Sequence, residues 1–335
     1  NGAEGGRLQG PAGNIESQSR AAPRSSAGVN RFSGIDRAGY PAYYPIVIVY
    51  TRRHTAMDKL QGYRRMLRIG DWVKFYPLFP LAGAFIAAGL SSGLIAVFAL
   101  FFCVTAYGFV INNLYDAEID KRHPGKTKQG KNPFADGSIS KREVVGMCAA
   151  LVGIPLLASL TISGTGFIFI LLCLIALTLY SAPPIRFKDR FAADIVCHGV
   201  MFGGLPFLAG YTLAGGAIAE FLSLPIASAL VCTLLCCEAL IIHEILDYHD
   251  DLGTTRTTIV GIGLRNGVFL LGITAVLSVV AFELISWWFA IDVGATAVMV
   301  TFLIGYPIYG CRTLLIPAAG RGYRTLMNNH LSRTR

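Results

Sequence analysis

Charge is scarce in this chain and missing from most of its length. Asp, Glu, Lys and Arg together make up 15% of its 335 residues, against about a quarter in an ordinary soluble domain. No Lys or Arg occurs from Phe75 to Asp120, from Glu143 to Ile185, from Phe191 to Thr255 or from Asn266 to Gly310. Gaps of that length exclude a water-facing globular surface. Paired loop cysteines are lacking too. Cys103, Cys148, Cys173, Cys197, Cys232, Cys236 and Cys237 all fall inside apolar runs, and no CxxC pair lies on a loop. That excludes a disulfide framework and a structural zinc site, and the cysteines read as small buried apolar residues. The formal net charge of +9 is confined to a few loops and the chain ends. It marks one side of a membrane, so no nucleic-acid partner is expected, and no protein partner is inferred.

What is present is hydrophobicity: 53% apolar residues and a mean hydropathy of +0.54. Apolar runs occupy about 76–91, 94–115, 144–162, 165–181, 194–214, 222–246, 266–287 and 291–311. Runs near 20 residues are membrane spans, so the expected fold is an all-α membrane protein, a multi-span helical bundle of eight spans. Beyond the start of the first span, every Lys and Arg lies in 121–142, 186–190, 256–265 or the tail after Cys311. Those loops share one face, which the positive-inside rule makes cytoplasmic, with both termini on it. Three regions follow: a weakly ordered tail over 1–58, a membrane domain over 59–312, and a basic tail over 313–335. Residues 1 to about 40 are rich in Gly, Ser, Ala, Pro and Arg and bury too little to fold. An Arg- and Ser-rich leader has the make-up of a transit peptide, but Glu4, Glu16 and Asp36 count against it, and a disordered tail is the expectation. The stretch 43–50 is too short to span. Basic residues and Trp72 just before the first run are expected at the membrane interface.

Two acidic helix ends face that basic side. In "INNLYDAEIDKR" (111–122), Asn112, Asp116 and Asp120 stand four residues apart, which puts them on one helical face. In "HEILDYHDDLGTTR" (243–256), Glu244, Asp247 and Asp251 stand at i, i+3 and i+7, again one face. Acids at the ends of membrane helices are costly to bury and commonly line a polar, functional cavity. Two carboxylate clusters facing one cavity can hold Mg²⁺, which takes a few carboxylates and completes its shell with water and phosphate oxygens. Lys and Arg on the adjoining loops can take further phosphate oxygens, and the apolar interior can house a lipid tail. A prenyl diphosphate has that combination of head and tail. The plain alternatives are solvated lysines at 126, 128 and 131, an interfacial Tyr180, and structural roles for His243 and His249, since Mg²⁺ prefers oxygen. His198, inside the fifth run, reads either as an acceptor contact or as a hydrogen-bonded core histidine. Pro183-Pro184 ends the fourth helix.

"NNLYDAEID" resembles the first acidic motif of the UbiA superfamily of intramembrane prenyltransferases, and "DYHDDLGTTRTT" resembles its second. "YSAPPIRFK" (180–188) and "NPFADGSIS" (132–140) resemble the segments between them. Four motifs in order over about 70–312 make the resemblance specific. It implies a helical bundle with its active site at the cytoplasmic side and Mg²⁺ bridging a prenyl diphosphate between the two acidic motifs. The implied catalytic residues are Asp116, Asp120, Asp247 and Asp251. The implied metal ligands are these four with Asn112 and, as an addition, Glu244. Lys128, Lys131, Arg186, Lys188 and Arg256 are the expected diphosphate contacts, with Tyr180 and Asn132 as further substrate contacts. Diphosphate departure would leave an allylic cation for a lipophilic acceptor, such as a quinone precursor or another lipid. The chain departs from the pattern in three ways. Asn132-Pro133 stands where many members have Arg-Pro, so Lys126, Lys128 or Lys131 would supply the charge. The link from Asp251 to Arg256 is short. Eight spans are counted where the family usually has nine, and the segment from Cys311 onward is too polar for a ninth. Two other activities share parts of this pattern. Phosphoribosyl transfer to a lipid phosphate needs the same Mg²⁺ site in a more polar pocket. A cation transporter needs charges near mid-bilayer rather than at helix ends.

Overall fold

The computed structural model describes residues 34–35, 41–42, 56–122, 130–220 and 223–312. The chain divides into two compact units, Asn1–Arg53 and His54–Arg335. In the first, β1 (Gly34–Ile35) pairs antiparallel with β2 (Pro41–Ala42), Gly34 opposite Ala42. The rest of 1–55, including the 43–50 stretch, lies outside the described residues, as do Lys126, Lys128 and the tail from residue 313.

The second unit is helical. It begins with α1 (Ala56–Leu67), a short turn at Ile69–Trp72 and α2 (Leu78–Ala88). Next come α3 (Gly93–Arg122), α4 (Lys141–Ile162) and α5 (Gly164–Ser181). Then α6 runs from Ala193 to Leu213 through a π-helical turn at Val200–Gly204. The series closes with α7 (Leu224–Asp251), α8 (Thr258–Ile262), α9 (Leu264–Trp288) and α10 (Val293–Gly310). Among the described residues, seven helices are long and apolar enough to cross a membrane. The first expected span is shorter than the sequence reading had it: α2 has 11 residues, about 17 Å of helix, because Pro77 starts it and Gly89, at φ 63, ends it. The break between the runs ending at 162 and starting at 165 narrows to one residue, Ser163. Ser163 is both the last residue after α4 and the cap of α5, its hydroxyl accepting from the Gly166 amide at 3.1 Å.

The helix α3 runs unbroken through the first acidic motif, so the apolar run and the carboxylates share one rod. Its 30 residues are about 45 Å long against a hydrocarbon slab roughly 30 Å thick. The 28 residues of α7 likewise extend past the slab. Both helices are thus long enough to cross the slab and carry their acidic turns beyond it.

Close packing holds the frame. The helix α2 lies on the second half of α6 through two glycines. A Cβ on Gly83 would stand 2.0 Å from the Phe207 carbonyl oxygen, and one on Gly210 would stand 1.9 Å from that of Pro80. Small residues that let backbones touch are the usual means of joining helices in lipid. The main core gathers Phe79, Phe101, Val104, Leu177, Met201 and Leu235. Trp72 belongs to this interior and not to an interfacial belt. It is fully buried, its Nε1 donates to the Leu67 carbonyl at 2.8 Å, and Phe102 meets its ring edge-on at 5.2 Å. The outward faces of α4, α9 and α10 remain apolar: Leu157, Phe269 and Val298 are each about 70% exposed (71%, 70% and 73%). A surface of that kind faces lipid. Of the eight cysteines, all free, Cys173, Cys236 and Cys237 are buried and the other five are half-buried.

Candidate active site

The terminal turns of α3 and α7 line one cavity. Asn112, Asp116 and Asp120 come from the first helix and Glu244, Asp247 and Asp251 from the second; Tyr180, Arg186, Lys188 and Lys131 complete the wall between them. Both helices end here at their C-termini, where the backbone dipole favours cations.

Within the first arm the side-chain oxygens of Asn112 and Asp116 have defined partners. Asn112 Oδ1 accepts from Lys188 Nζ at 2.6 Å and from Ser181 Oγ at 3.4 Å. Both Asp116 oxygens accept from Lys188 Nζ, and Oδ1 also accepts from Arg186 Nη2 at 2.8 Å. Arg186 Nε in turn donates to Asp189. These groups are largely shielded: Lys188 and Asp116 are each 13% exposed and Arg186 is 17% exposed. Burial pushes the Lys188 ammonium below its ordinary range, with Asp116 opposing the shift and Arg186 adding to it. Burial also works against the Arg186 charge, but its bonds to Asp189 and Asp116 prevail and hold it above the ordinary value.

Asn132 is placed differently from the expectation. It does not line the cavity. It is buried, and its amide nitrogen donates to Asp120 Oδ2 at 2.9 Å and to the Asn113 carbonyl at 2.8 Å. Its Oδ1 accepts from the Phe134 and Ala135 amides, both at 3.2 Å. It is thus an Asx-type turn residue that aims Asp120, and it has no donor to spare for a substrate. Downstream, Ser140 caps α4 in a reciprocal capping box with Glu143. Arg65 of α1 ties this loop down by donating to Asp136 Oδ2 at 3.1 Å and to the Gly130 carbonyl at 3.0 Å.

The second arm is more open. Asp247 is 48% exposed and lies 3.5 Å from His243 Nε2, which makes His243 a cavity residue. His249 lies outside the lining and meets Tyr248 edge-on at 5.2 Å. Glu244 is turned inward: it is 3% exposed, and its Oε2 accepts from the Ile259 amide at 3.2 Å. Beside it, buried Asp194 accepts from the Thr258 amide at 2.6 Å and from the Thr258 hydroxyl. Two buried carboxylates therefore latch the start of α8 and fix the 252–257 loop. Arg256 is exposed and does not line the cavity, because the loop turns it to the surface.

Sequence reasoning missed Arg68, which lines the cavity, bonds Asp71 at 2.8 Å and lies 5.2 Å over the Phe109 ring. Arg68 and Arg186 both hold left-handed backbone, at φ 49 and φ 44. Non-glycine residues in that region are strained and gather at functional sites, but nothing in a sequence marks them. Below the cavity lies an aromatic layer. Tyr180 is 6.3 Å from His198, and Tyr76 stacks on Phe202 at 4.2 Å. His198 is a satisfied core histidine: Nδ1 meets the Cys236 carbonyl at 2.9 Å and Nε2 meets Tyr76 Oη at 3.0 Å. A carbonyl only accepts, so Nδ1 carries the hydrogen and Tyr76 donates to Nε2.

Among the described residues no three of His, Cys, Asp and Glu converge closely enough to hold a metal ion by themselves. The donor set is nonetheless all oxygen, split between two arms of one cavity. That suits a hard cation whose remaining ligands arrive with a phosphorylated substrate.

Solved structures share the architecture. A UbiA homologue from Archaeoglobus fulgidus bound to GPP and Mg²⁺ is 25% identical with a TM-score of 0.63, over 77% of this chain and 87% of that one. A digeranylgeranylglyceryl phosphate synthase, 21% identical, has the same fold at a TM-score of 0.59, over 81% of this chain and 95% of that one. In sequence, the rice chloroplast chlorophyll synthase is 32% identical over 120 residues, 34% of this chain and 31% of that protein. The lycopene elongase/hydratase of Haloarcula japonica is 31% identical over 124 residues, 36% of this chain and 40% of that protein. The matched stretches thus span well under half the length of either relative. The model of the UbiA prenyltransferase family, by contrast, matches residues 77–327, which take in all seven spans and both acidic helix ends, and the chain belongs to that family.

Proposed function

We propose that this protein transfers a prenyl group from a prenyl diphosphate to a lipophilic acceptor within the membrane, with Mg²⁺ as cofactor. The observation that carries the reading is the single cavity lined by oxygen donors from two helix ends and by Lys131, Arg186 and Lys188 between them, directly above an apolar and aromatic interior. Asn112, Asp116 and Asp120 on one side and Asp247 and Asp251 on the other would hold the metal. Mg²⁺, when bound, neutralises the diphosphate and makes it a better leaving group.

The chain's own residues do the rest. Lys188 and Arg186 donate to phosphate oxygens in charge-assisted hydrogen bonds, and Lys131 adds a third cation. Asn132 keeps Asp120 pointed at the site. Glu244 and Asp194 serve through the backbone they latch, and Glu244 is a positioning residue in this scheme. The bond between the allylic carbon and the bridging oxygen breaks, and its electron pair leaves with the diphosphate. A nucleophilic atom of the acceptor takes the carbon and gives up its proton. Tyr180 and the aromatic layer below it keep water from the cation and offer it ring faces. The catalytic face is cytoplasmic in this reading, because the lysine- and arginine-bearing loops surround the cavity.

The test uses the full chain in lipid vesicles with Mg²⁺, radiolabelled prenyl diphosphates of several lengths and a lipid extract. Labelled lipid and free diphosphate are expected together. Absence of diphosphate release with every donor, with or without extract, sinks the reading.

A further inference from the structure

Lys188 occupies the oxygens that the proposed function gives to a metal. Its ammonium bonds Asn112 Oδ1 at 2.6 Å and both oxygens of Asp116, so three of the first arm's donor atoms face a cation of the chain itself. Arg186 adds a second positive group at 2.8 Å from Asp116 Oδ1. The ammonium is buried to 13% exposure on both sides of the pair, so water screens this contact weakly. A free divalent cation has to displace the lysine and leave it, with the arginine, facing the metal's own charge. A diphosphate changes that balance, because its oxygens give Lys188 and Arg186 new anionic partners while ligating the metal.

We infer that the first acidic motif takes its divalent cation together with diphosphate, as one metal–diphosphate complex, and that Lys188 holds the metal's place until phosphate oxygens draw it off. This rests on the proposed function and specifies the form in which the site takes its ligand. The lysine is then both a competitor of the free metal and a ligand of the complex. Removing it has opposite effects on the two.

The test is equilibrium dialysis of the full chain in lipid nanodiscs, with Mn²⁺ as the metal probe and inorganic diphosphate as the head-group probe. Wild-type protein is expected to retain Mn²⁺ at least tenfold more tightly with diphosphate than without it. Lys188→Gln is expected to retain Mn²⁺ alone about tenfold more tightly than wild type, and to lose most of the gain from diphosphate. Equal retention of Mn²⁺ by wild type with and without diphosphate overturns the inference, and this arm needs no variant to fold. So does a Lys188→Gln protein, monodisperse and with wild-type unfolding temperature, whose affinity for Mn²⁺ alone is unchanged. If neither protein retains Mn²⁺ or diphosphate under any condition, the proposed function itself falls, a result distinct from the first two.

Discussion

Asp116 accepts from both Lys188 and Arg186, whereas Asp247 is half-exposed and has His243 at 3.5 Å. The two acids stand in equivalent positions of the proposed metal site but in unlike surroundings, so their removal should have like effects on turnover and unlike effects on stability. Asp116→Asn is expected to abolish prenyl transfer and also to destabilise the protein by about 3 kcal/mol, because it leaves the shielded Lys188 without its carboxylate and Arg186 with Asp189 alone. Asp247→Asn is expected to abolish transfer with an unfolding temperature close to wild type. Turnover and thermal unfolding on the same preparations check both, and a loss of turnover in only one variant would sink the two-armed site. Asn132 gives a third case. Asn132→Ala removes the donor that aims Asp120, a hydrogen bond to a charged group contributing about 1.5–3 kcal/mol. A fall in kcat of about tenfold or more is expected, with little change in KM for the prenyl diphosphate.

At the scale of elements, the contact of α2 with α6 and the latch at α8 make the sharpest demands. Gly210→Ala puts a methyl group on the Pro80 carbonyl, an overlap that backbone cannot relieve without parting the helices. A loss of at least 1–3 kcal/mol is expected, read as a lowered unfolding temperature in detergent. Asp194→Ala strips the Thr258 amide and hydroxyl of their acceptor. The 252–257 loop should then become a site of limited proteolysis, and KM for the donor should rise more than kcat falls. Both acidic ends were legible in the sequence because helical spacing alone puts 112, 116 and 120, or 244, 247 and 251, on one face. Seven of the eight expected spans were legible for an equally local reason, their unbroken apolar runs, whereas the first is only an 11-residue helix among the described residues. What was not legible is long-range. Arg68 reaches the cavity from a left-handed turn with no glycine to announce it. Asn132 looked like a substitute for a substrate-binding arginine and proved to be a turn residue clamped to Asp120. Arg256 turns to the surface between Thr255 and Thr257, which do line the cavity. Glu238, in the middle of α7, is fully buried and accepts from Ser278 of α9. It lies outside the acidic-end pattern and is a polar tie between two helices.

For the molecule as a whole, the charge map and the helix count together fix an expectation about sides. Cysteines introduced at Lys141 and at Thr254, both exposed, should react with an impermeant thiol reagent from the cytoplasmic side, and one at Ser92 from the opposite side. Labelling of Lys141→Cys and Thr254→Cys from different sides would contradict the fold. Chelation by EDTA should stop turnover, and added Mg²⁺ should restore it. The reach of α3, about 45 Å through a slab of about 30 Å, has a kinetic meaning of its own. In the proposed function it sets the polar cavity at headgroup depth, level with the diphosphate of a lipid whose tail stays in the bilayer. Each methylene kept there avoids a transfer to water of about 0.8 kcal/mol. Substrate is then supplied by lateral diffusion in two dimensions, and the quantity that saturates the enzyme is mole fraction in the lipid. At a fixed bulk concentration of donor, doubling the amount of bilayer should halve the initial rate.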